Sequence, residues 1–404
     1  MRILFLSFYF RPDLSAGSFR STALAEELAR RLGPEDQLEI ITTLPNRYRS
    51  FSVEAPPQES APGMTILRVR LPPHRGGMVD QALSYLTFAK SALRLTGSTN
   101  YDLIIATSGR LFTAVLASWI ARRKLRPLYL DIRDIFADTI SEVLPRGVAL
   151  VTRPTFGALE RWTLRRASVV NLVSRGFTDY FEPRYPGMKF TYHPNGIDEE
   201  FLGSATASAV PAARAFGKPL HIVYAGNLGE SQALHLVLPG LARRLDGRAR
   251  ITVIGDGGRR GHLEAVLQAG AVRNVEILSP MKRAQLLEHY RAADILFLHL
   301  ADRPVFRTVL PSKIFEYAAT GKPILAGVAG HAANFLRNEV PNSAIFAPCS
   351  IGGALEALAQ LRLETAQRTE FVATYSRHAI VARMAGEILL IASAKFPRGE
   401  PAAP

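Results

Sequence analysis

The chain is poor in the residues that several kinds of protein depend on. A single cysteine, Cys349, stands among 404 residues. That excludes an internal disulfide and any cysteine-built zinc site, and it suits a reducing compartment. The nine histidines are scattered, with no pair at His-x-x-x-His spacing, so a metal centre is not expected. No uninterrupted apolar run reaches the roughly 18 residues a membrane-spanning helix needs. The longest uncharged stretch, Val340 to Leu355, is broken by Pro341, Asn342, Pro348 and two glycines. Residues 1–11 have an apolar centre like that of a leader, but it is short and no small-residue cleavage site follows, so it reads as a buried first strand. Acidic residues are also scarce: 35 Asp and Glu face 49 Lys and Arg, a formal charge of +14.

What remains is ordinary globular composition, 48% hydrophobic and 21% charged, at a length that suits two or three domains. The charge is uneven. Residues 41–126 carry 12 basic and 4 acidic side chains, and such a local excess calls for an anionic partner. Two apolar segments lie within it. One is Met78–Leu93, flanked by Arg75 and Arg94; the other is Ala117–Arg126, where Trp119 sits beside Arg122, Arg123, Lys124 and Arg126. Each suits docking on an anionic membrane surface, and each also suits a packed helix with a solvated basic end. No nucleic-acid module or basic–aromatic interleaving accompanies the charge, so nucleic acid is not an expected partner.

Short apolar runs alternate with helical periodicity along the whole chain. Strands are expected at 3–8, 38–42, 65–70, 103–106, 128–132 and 169–172, then at 221–224, 251–254, 275–278, 295–300, 323–326 and 344–346. Helical patterns are expected over 80–95, 111–123, 156–166, 232–245, 260–269, 283–292, 312–320 and 353–361, none between 326 and 344, and a last helix over about 380–395. This alternation predicts an α/β chain of mostly parallel sheets covered by helices. The small-residue stretch 203–213 marks a linker. The expected division is 1–202 for a first domain, 203–217 for the linker, 218–378 for a second domain and 379–404 for a terminal helix that packs back on the first. Ligands of such sheets bind beyond the carboxyl ends of the strands.

Three segments carry candidate chemistry. In Val223-Tyr-Ala-Gly-Asn-Leu-Gly229 a strand runs into glycines, which lets backbone N–H groups approach a phosphate or simply makes a tight turn. Ile254-Gly-Asp-Gly-Gly258 offers the same choice, with the tight turn as the default. The richest segment is Leu310-Pro-Ser-Lys-Ile-Phe-Glu316. Pro311 suits an early helical position, which leaves the N–H groups of Ser312 and Lys313 and the Lys313 ammonium for an anion. Glu316 falls on the same face one turn on. A carboxylate there fits two ribose hydroxyls; the alternative is a solvated charge pair at a helix start.

Together with His193-Pro-Asn-Gly-Ile-Asp198, Ala292-Ala-Asp-Ile295 and Gly321-Lys-Pro323, these segments resemble the family-4 retaining glycosyltransferases of the GT-B fold. The likeness is strongest to the branch that assembles bacterial surface polysaccharides, including the N-acetyl-fucosamine transferases. The resemblance implies two facing Rossmann-like domains with a cleft between them. It implies transfer of a sugar from a nucleotide-diphosphate donor, UDP-linked by expectation, to a lipid-diphosphate-linked glycan, with retention and without a required metal or other cofactor. The enzyme would work in the cytoplasm, on the inner face of the membrane.

By the same resemblance, Glu316 holds the donor ribose and Lys313 meets the diphosphate. Gly226, Asn227, Gly229, Gly255, Gly257, Met281, Pro311 and Ser312 complete the donor site. The family's first glutamate is replaced by Thr308, and its basic pair by Asn227 and Gln232. In the first half, Ser15-Ala-Gly-Ser-Phe-Arg20 resembles the family's glycine loop, with Gly17 allowing close approach and Arg20 meeting an acceptor phosphate or lying exposed at a helix start. Asp131-Ile-Arg-Asp-Ile-Phe-Ala-Asp138 resembles an Arg-Asp-Leu-Trp-Pro segment, with Phe136-Ala137 in place of Trp-Pro. That match makes Asp134 the candidate catalytic carboxylate, with Asp131 and Asp138 as alternatives. Cys349 reads as a bystander. Two other functions fit the architecture: a UDP-sugar 2-epimerase, and a non-catalytic binding protein of the same fold.

Overall fold

A computed structural model describes residues 1–13, 15–46, 54–72, 78–108, 111–135, 146–202 and 218–394, with backbone only at 78–79 and 146–153. The expected linker 203–217, Asp138 and the Phe136-Ala137 pair lie outside the described residues. The chain divides into two compact units, residues 1–194 with 380–404, and residues 195–379.

The first unit is built on an eight-stranded sheet in the order β3-β4-β2-β1-β5-β6-β7-β8. These are β1 (Arg2–Ser7), β2 (Gln37–Thr43), β3 (Gln58–Ala61), β4 (Met64–Val69), β5 (Leu103–Ser108), β6 (Leu128–Ile132), β7 (Val169–Leu172) and β8 (Phe190–Tyr192). All neighbouring pairs are parallel except β3 with β4. β5, β6 and β7 are buried at every position, as strands covered on both faces must be, and this is why they are mainly apolar, with Asp131 and Asn171 the charged and amide exceptions. The order reverses at β1, whose neighbours are β2 on one side and β5 on the other.

The second unit has six parallel strands in the order β11-β10-β9-β12-β13-β14. They are β9 (Leu220–Ala225), β10 (Ala249–Ile254), β11 (Val275–Leu278), β12 (Ile295–His299), β13 (Ile324–Gly327) and β14 (Ser343–Phe346). Here the reversal falls at β9, between β10 and β12.

The segment 195–202, expected with the first domain, packs with the second unit. Ile197 and Phe201 are buried in its core beside Tyr290 and Phe371. Ile197 N–H donates to Tyr375 O at 2.8 Å, and Arg377 N–H donates to Ile197 O at 2.7 Å. The helix Arg377–Ser393 then passes into the first unit, where Ile380, Val381, Met384, Ala385 and Ile388 join the core formed by Ile3, Phe5, Leu24 and Leu28. Their spacing of three and four residues is that of one helical face.

Candidate functional site

In the second unit the glycine segment and the Lys-Glu helix leave the two strands on either side of the sheet reversal. β9 ends at Ala225 and runs into Gly226-Asn-Leu-Gly229; β12 ends at His299 and leads to the helix Lys313–Ala319. At such a reversal the loops diverge and leave a crevice beyond the strand ends, where α/β sheets hold ligands.

The two glycine turns lie against each other. Gly226 N–H donates to Ile254 O and Leu228 N–H to Asp256 O, both at 2.9 Å, and Arg259 N–H donates to Leu228 O at 2.8 Å. Gly255 and Gly257 have φ of 155° and 157°. A Cβ would come to 1.9 Å from Gly226 O at the first and 2.6 Å from Leu228 O at the second. The tight-turn reading therefore accounts for both glycines: only a residue without Cβ lets the loops touch backbone to backbone. Asn227 Nδ2 donates to Gln232 Oε1 at 2.8 Å, so the two positions where the family pattern has cations hold a neutral, self-satisfied pair. Gly229 lies against this pair, since a Cβ there would meet Asn227 Nδ2 at 2.4 Å.

Lys313 and Glu316 meet as their spacing predicts, with the carboxylate buried and the lysine half-buried. Lys313 Nζ donates to Glu316 Oε2 at 2.6 Å and to Tyr290 Oη at 3.2 Å. Glu316 is only 7% exposed. Burial alone would lower the Lys313 pKa, but Glu316 and the neighbouring tyrosines outweigh it, and the ammonium is held above its ordinary range. Glu316 Oε1 accepts no hydrogen bond among the described residues and is the oxygen left for a ligand. Two residues that the sequence did not single out build this corner. Tyr290 and Tyr317 are fully buried with rings edge to face at 5.3 Å. Tyr317 Oη accepts from Ala225 N–H at 3.0 Å, which ties the Lys-Glu helix to the last residue of β9. Pro311 O and Ser312 O accept from Ile314 and Phe315 N–H, both at 3.1 Å. Pro311 and Ser312 are half-buried, and Met281 packs on the same core.

Behind the helix, Arg283 pairs with Asp198 and with Glu200 at 2.9 Å, and Arg377 pairs with Asp198. The aspartate closing the His-Pro-Asn-Gly-Ile-Asp segment is thus a structural node. Arg283 is held above its ordinary pKa: burial opposes its charge, but Asp198, Glu200 and Glu316 overcome it.

His299, at the end of β12, is fully buried. Its Nδ1 faces Gln232 O at 2.7 Å, and its Nε2 accepts from Cys349 N–H at 2.9 Å. The ring is therefore neutral, with the proton on Nδ1. Burial lowers its pKa to about 4 against an ordinary 6.5, and the bond to Gln232 only partly offsets this. A histidine depressed on folding contributes stability above its unfolded pKa, lost as pH falls through the interval. The loss should reach roughly 3 kcal/mol between pH 6.5 and 4. Urea titrations across that range should show a steeper acid decline for the native chain than for His299→Gln; equal slopes would contradict the assignment. Burial raises the Cys349 thiol, which keeps thiolate scarce and fits a bystander.

In the first unit the glycine segment 15–20 follows β1, at the other reversal. Ser15 caps the helix Ala16–Arg31, its side chain accepting from Ser18 N–H. Gly17 lies under Arg133, whose Nη1 would be 2.0 Å from a Cβ there. Arg20 corrects the sequence expectation. It is 1% exposed, so it is not an exposed arginine at a helix start. Its Nε and Nη2 donate to the two oxygens of Asp131 at 2.8 and 2.9 Å, Nη2 also to His193 O at 2.8 Å, and Nη1 to Pro194 O. Asp131 further accepts from Asn171 Nδ2 at 2.7 Å, so it too is structural. Asp134, two residues beyond β6, is half-buried. Burial lifts its carboxyl to about 6, with Arg133 pulling the other way. Of the three aspartates in this segment, Asp134 is the described one left for chemistry, with Arg133 beside it as a cation that the sequence reading passed over.

Comparisons with known proteins agree with this architecture. Residues 18–196 match the model of the glycosyl transferase 4-like domain, and residues 219–362 that of glycosyl transferases group 1. WcaI of Escherichia coli (strain K12), named for glycosyl transfer in colanic acid biosynthesis, is 30% identical over 100 residues, covering 25% of this chain and 24% of that protein. Sucrose-phosphate synthase from Thermosynechococcus elongatus superposes with a TM-score of 0.73 at 15% identity, covering 98% of this chain and 100% of that one. WaaG, described as a glycosyltransferase involved in lipopolysaccharide biosynthesis, gives 0.69 at 16%, covering 96% and 99%. HepE of Anabaena, in complex with UDP and glucose, gives 0.65 at 16% over the same shares. Likeness at such low identity shows the fold, which is GT-B.

Proposed function

The chain is a glycosyltransferase by both of its domain families, and from that premise we propose that it moves a sugar from a UDP-linked donor to a lipid-diphosphate-linked glycan, with retention, in bacterial surface-polysaccharide assembly. One observation carries the reading: the Lys313–Glu316 ion pair, its carboxylate buried, stands on a helix that Tyr317 ties to the end of β9, at the sheet reversal where α/β sheets hold ligands. In this reading Glu316 Oε1 takes the ribose hydroxyls. Lys313, with the N–H groups of Ser312 and Lys313, meets the charge that grows on the departing diphosphate. Gly226, Asn227 and Gly229 line the approach, and Met281 lies beside the base. HepE, of the same fold, is described with UDP, and WcaI and WaaG are named for polysaccharide assembly; these support the donor and the pathway class.

The acceptor reading rests on the surface of the first unit. Leu83 and Leu86 are 51% and 61% exposed, and Phe112 and Trp119 each 39%. These apolar side chains sit within the segment of +8 net charge. Apolar contact combined with basic charge is what binds a peripheral protein to an anionic bilayer. Among the described residues, no helix is long and apolar enough to cross a membrane. We place the enzyme on the cytoplasmic face of the inner membrane, where a nucleotide sugar and a lipid acceptor can meet.

Thermal denaturation with UDP, GDP, ADP and dTDP tests the donor. A ligand at a hundred times its Kd stabilises by about 2.7 kcal/mol, and UDP should raise the Tm most. No shift with any of the four would sink the reading. Asp134 supplies a second test. If its carboxylate accepts the acceptor's proton, kcat/KM should climb with pH to a plateau above about 6, because the group must be ionised. Asp134→Asn should lose about 10²–10⁴-fold and the acid limb with it; an unchanged profile in the variant would remove Asp134 from the chemistry.

A further inference from the structure

In the first unit, a cavity of about 360 Å³ lies between the end of the helix Arg146–Leu164 and the end of the helix Leu111–Lys124, lined by Arg122, Ala158, Arg161, Trp162, Arg165 and Arg166. Four arginines line this open depression, Arg122, Arg161 and Arg165 exposed and Arg166 half-buried, and none has a carboxylate partner among the described residues. Glu160, the nearest carboxylate in sequence, is turned away: it is 3% exposed and accepts from Tyr180 and Tyr185 Oη at 3.1 and 2.8 Å. Arg166 is held in place by donation from Nη2 to Arg126 O at 3.1 Å. Its pKa is lowered, by burial first and by Arg122 second. The two helices that carry the arginines are joined by Ser118 Oγ donating to Thr163 O at 3.2 Å.

Like charges gathered on one depression repel one another, and an anion relieves that repulsion. Guanidinium groups favour phosphate, whose oxygens accept their paired N–H donors. Trp162 adds an apolar wall for what the phosphate is attached to. The place in the fold separates this cavity from the proposed reaction. Arg122 precedes β6, and Arg165 and Arg166 precede β7. β6 and β7 are parallel, so the cavity lies towards the amino ends of the strands, whereas the segments holding Gly17 and Asp134 leave their carboxyl ends. We propose that this arginine cavity is a second ligand site, which binds the phosphate group of an organic phosphate. A soluble phosphate ester and a phospholipid headgroup share that chemistry.

The chain has two tryptophans, so Trp119→Phe leaves Trp162 as the sole fluorescent reporter, and it sits in the cavity wall. Two titrations are run on that background: sodium pyrophosphate, and phosphatidylcholine vesicles with and without phosphatidic acid. A change in Trp162 emission with pyrophosphate identifies a site open to soluble phosphates. A change only with phosphatidic-acid vesicles identifies a headgroup site. In either case Arg161→Gln with Arg165→Gln, both exposed residues, should weaken the response roughly a hundredfold, at about tenfold per charge-assisted contact. Matching Tm values show that the variant is folded. No emission change in either titration, or the same response in the double variant, overturns the proposal. UDP binding in the second unit is read separately and can fail or succeed without touching this result.

Discussion

Glu316→Ala should lower kcat/KM by about 10²–10³-fold and weaken UDP binding by a comparable factor, while the second unit stays folded. The size follows from what the carboxylate would do. Holding two ribose hydroxyls with a charged acceptor in a nearly dry site is worth more than an ordinary hydrogen bond. The loss appears in donor binding as well as in turnover, because the ribose is held before and during reaction. Lys313→Ala should behave differently. Its ammonium answers charge that is fully developed only as the sugar leaves, so kcat should fall more than UDP affinity. The two effects will not add. The side chains are 2.6 Å apart, and removing either leaves the other half-paired in a buried place. Glu316→Gln separates function from packing, since it keeps the shape and gives up the charge. Isothermal titration with UDP, alongside UDP release from UDP-sugar donors over membrane lipid extracts, reads both quantities. Wild-type binding and turnover in folded Glu316→Ala and Lys313→Ala would remove the site assignment.

This pair was legible in the sequence because it is local. Three residues on a helix fix a shared face whatever the rest of the chain does. The same holds for the strands: Leu128–Ile132, Val169–Leu172 and Val275–Leu278 fall where their apolar runs place them. β3 was not legible, because Gln-Glu-Ser-Ala has no apolar alternation and forms a half-exposed edge. β8 is three half-buried residues, too short for any period. The helix Gly330–Glu339 was hidden behind an opening glycine. That glycine has φ of 61°, with Arg307 O only 2.2 Å from where a Cβ would be, so a packing demand decides the residue. Tyr290 and Tyr317 are buried core aromatics whose hydroxyls matter because the fold points them at Lys313 and at the end of β9. Arg20 misled for the converse reason. Its partner lies 111 residues away, brought close when β5 slots between β1 and β6, and nothing near Arg20 in the sequence announces a carboxylate.

Arg20→Ala should cost about 3–5 kcal/mol and lower the Tm of the first unit by about 10 °C or more. A role for Arg20 in holding an acceptor phosphate would instead raise an acceptor KM in a normally stable protein. The pH dependence distinguishes the two beyond the size of the effect. In the native chain, burial would push the Asp131 carboxyl up, but the Arg20 guanidinium and the Asn171 amide outweigh it and hold the pKa below the ordinary 3.8. A carboxylate depressed on folding contributes stability above its unfolded pKa, lost as pH falls through the folded value. Without Arg20 the sign reverses. Asp131, 1% exposed and short of its cation, is then easier to bury protonated, so the variant gains relative stability as pH falls towards 4. The difference between native and Arg20→Ala chains should therefore be largest at neutral pH and shrink in acid. Asp131→Asn should be destabilised at neutral pH as well, because Arg20 is then the uncompensated buried charge, but it should lack the acid recovery. Urea unfolding of the three proteins at pH 7 and pH 4 measures this directly. A gap that stays constant with pH would show that the buried pair does not hold the first unit together.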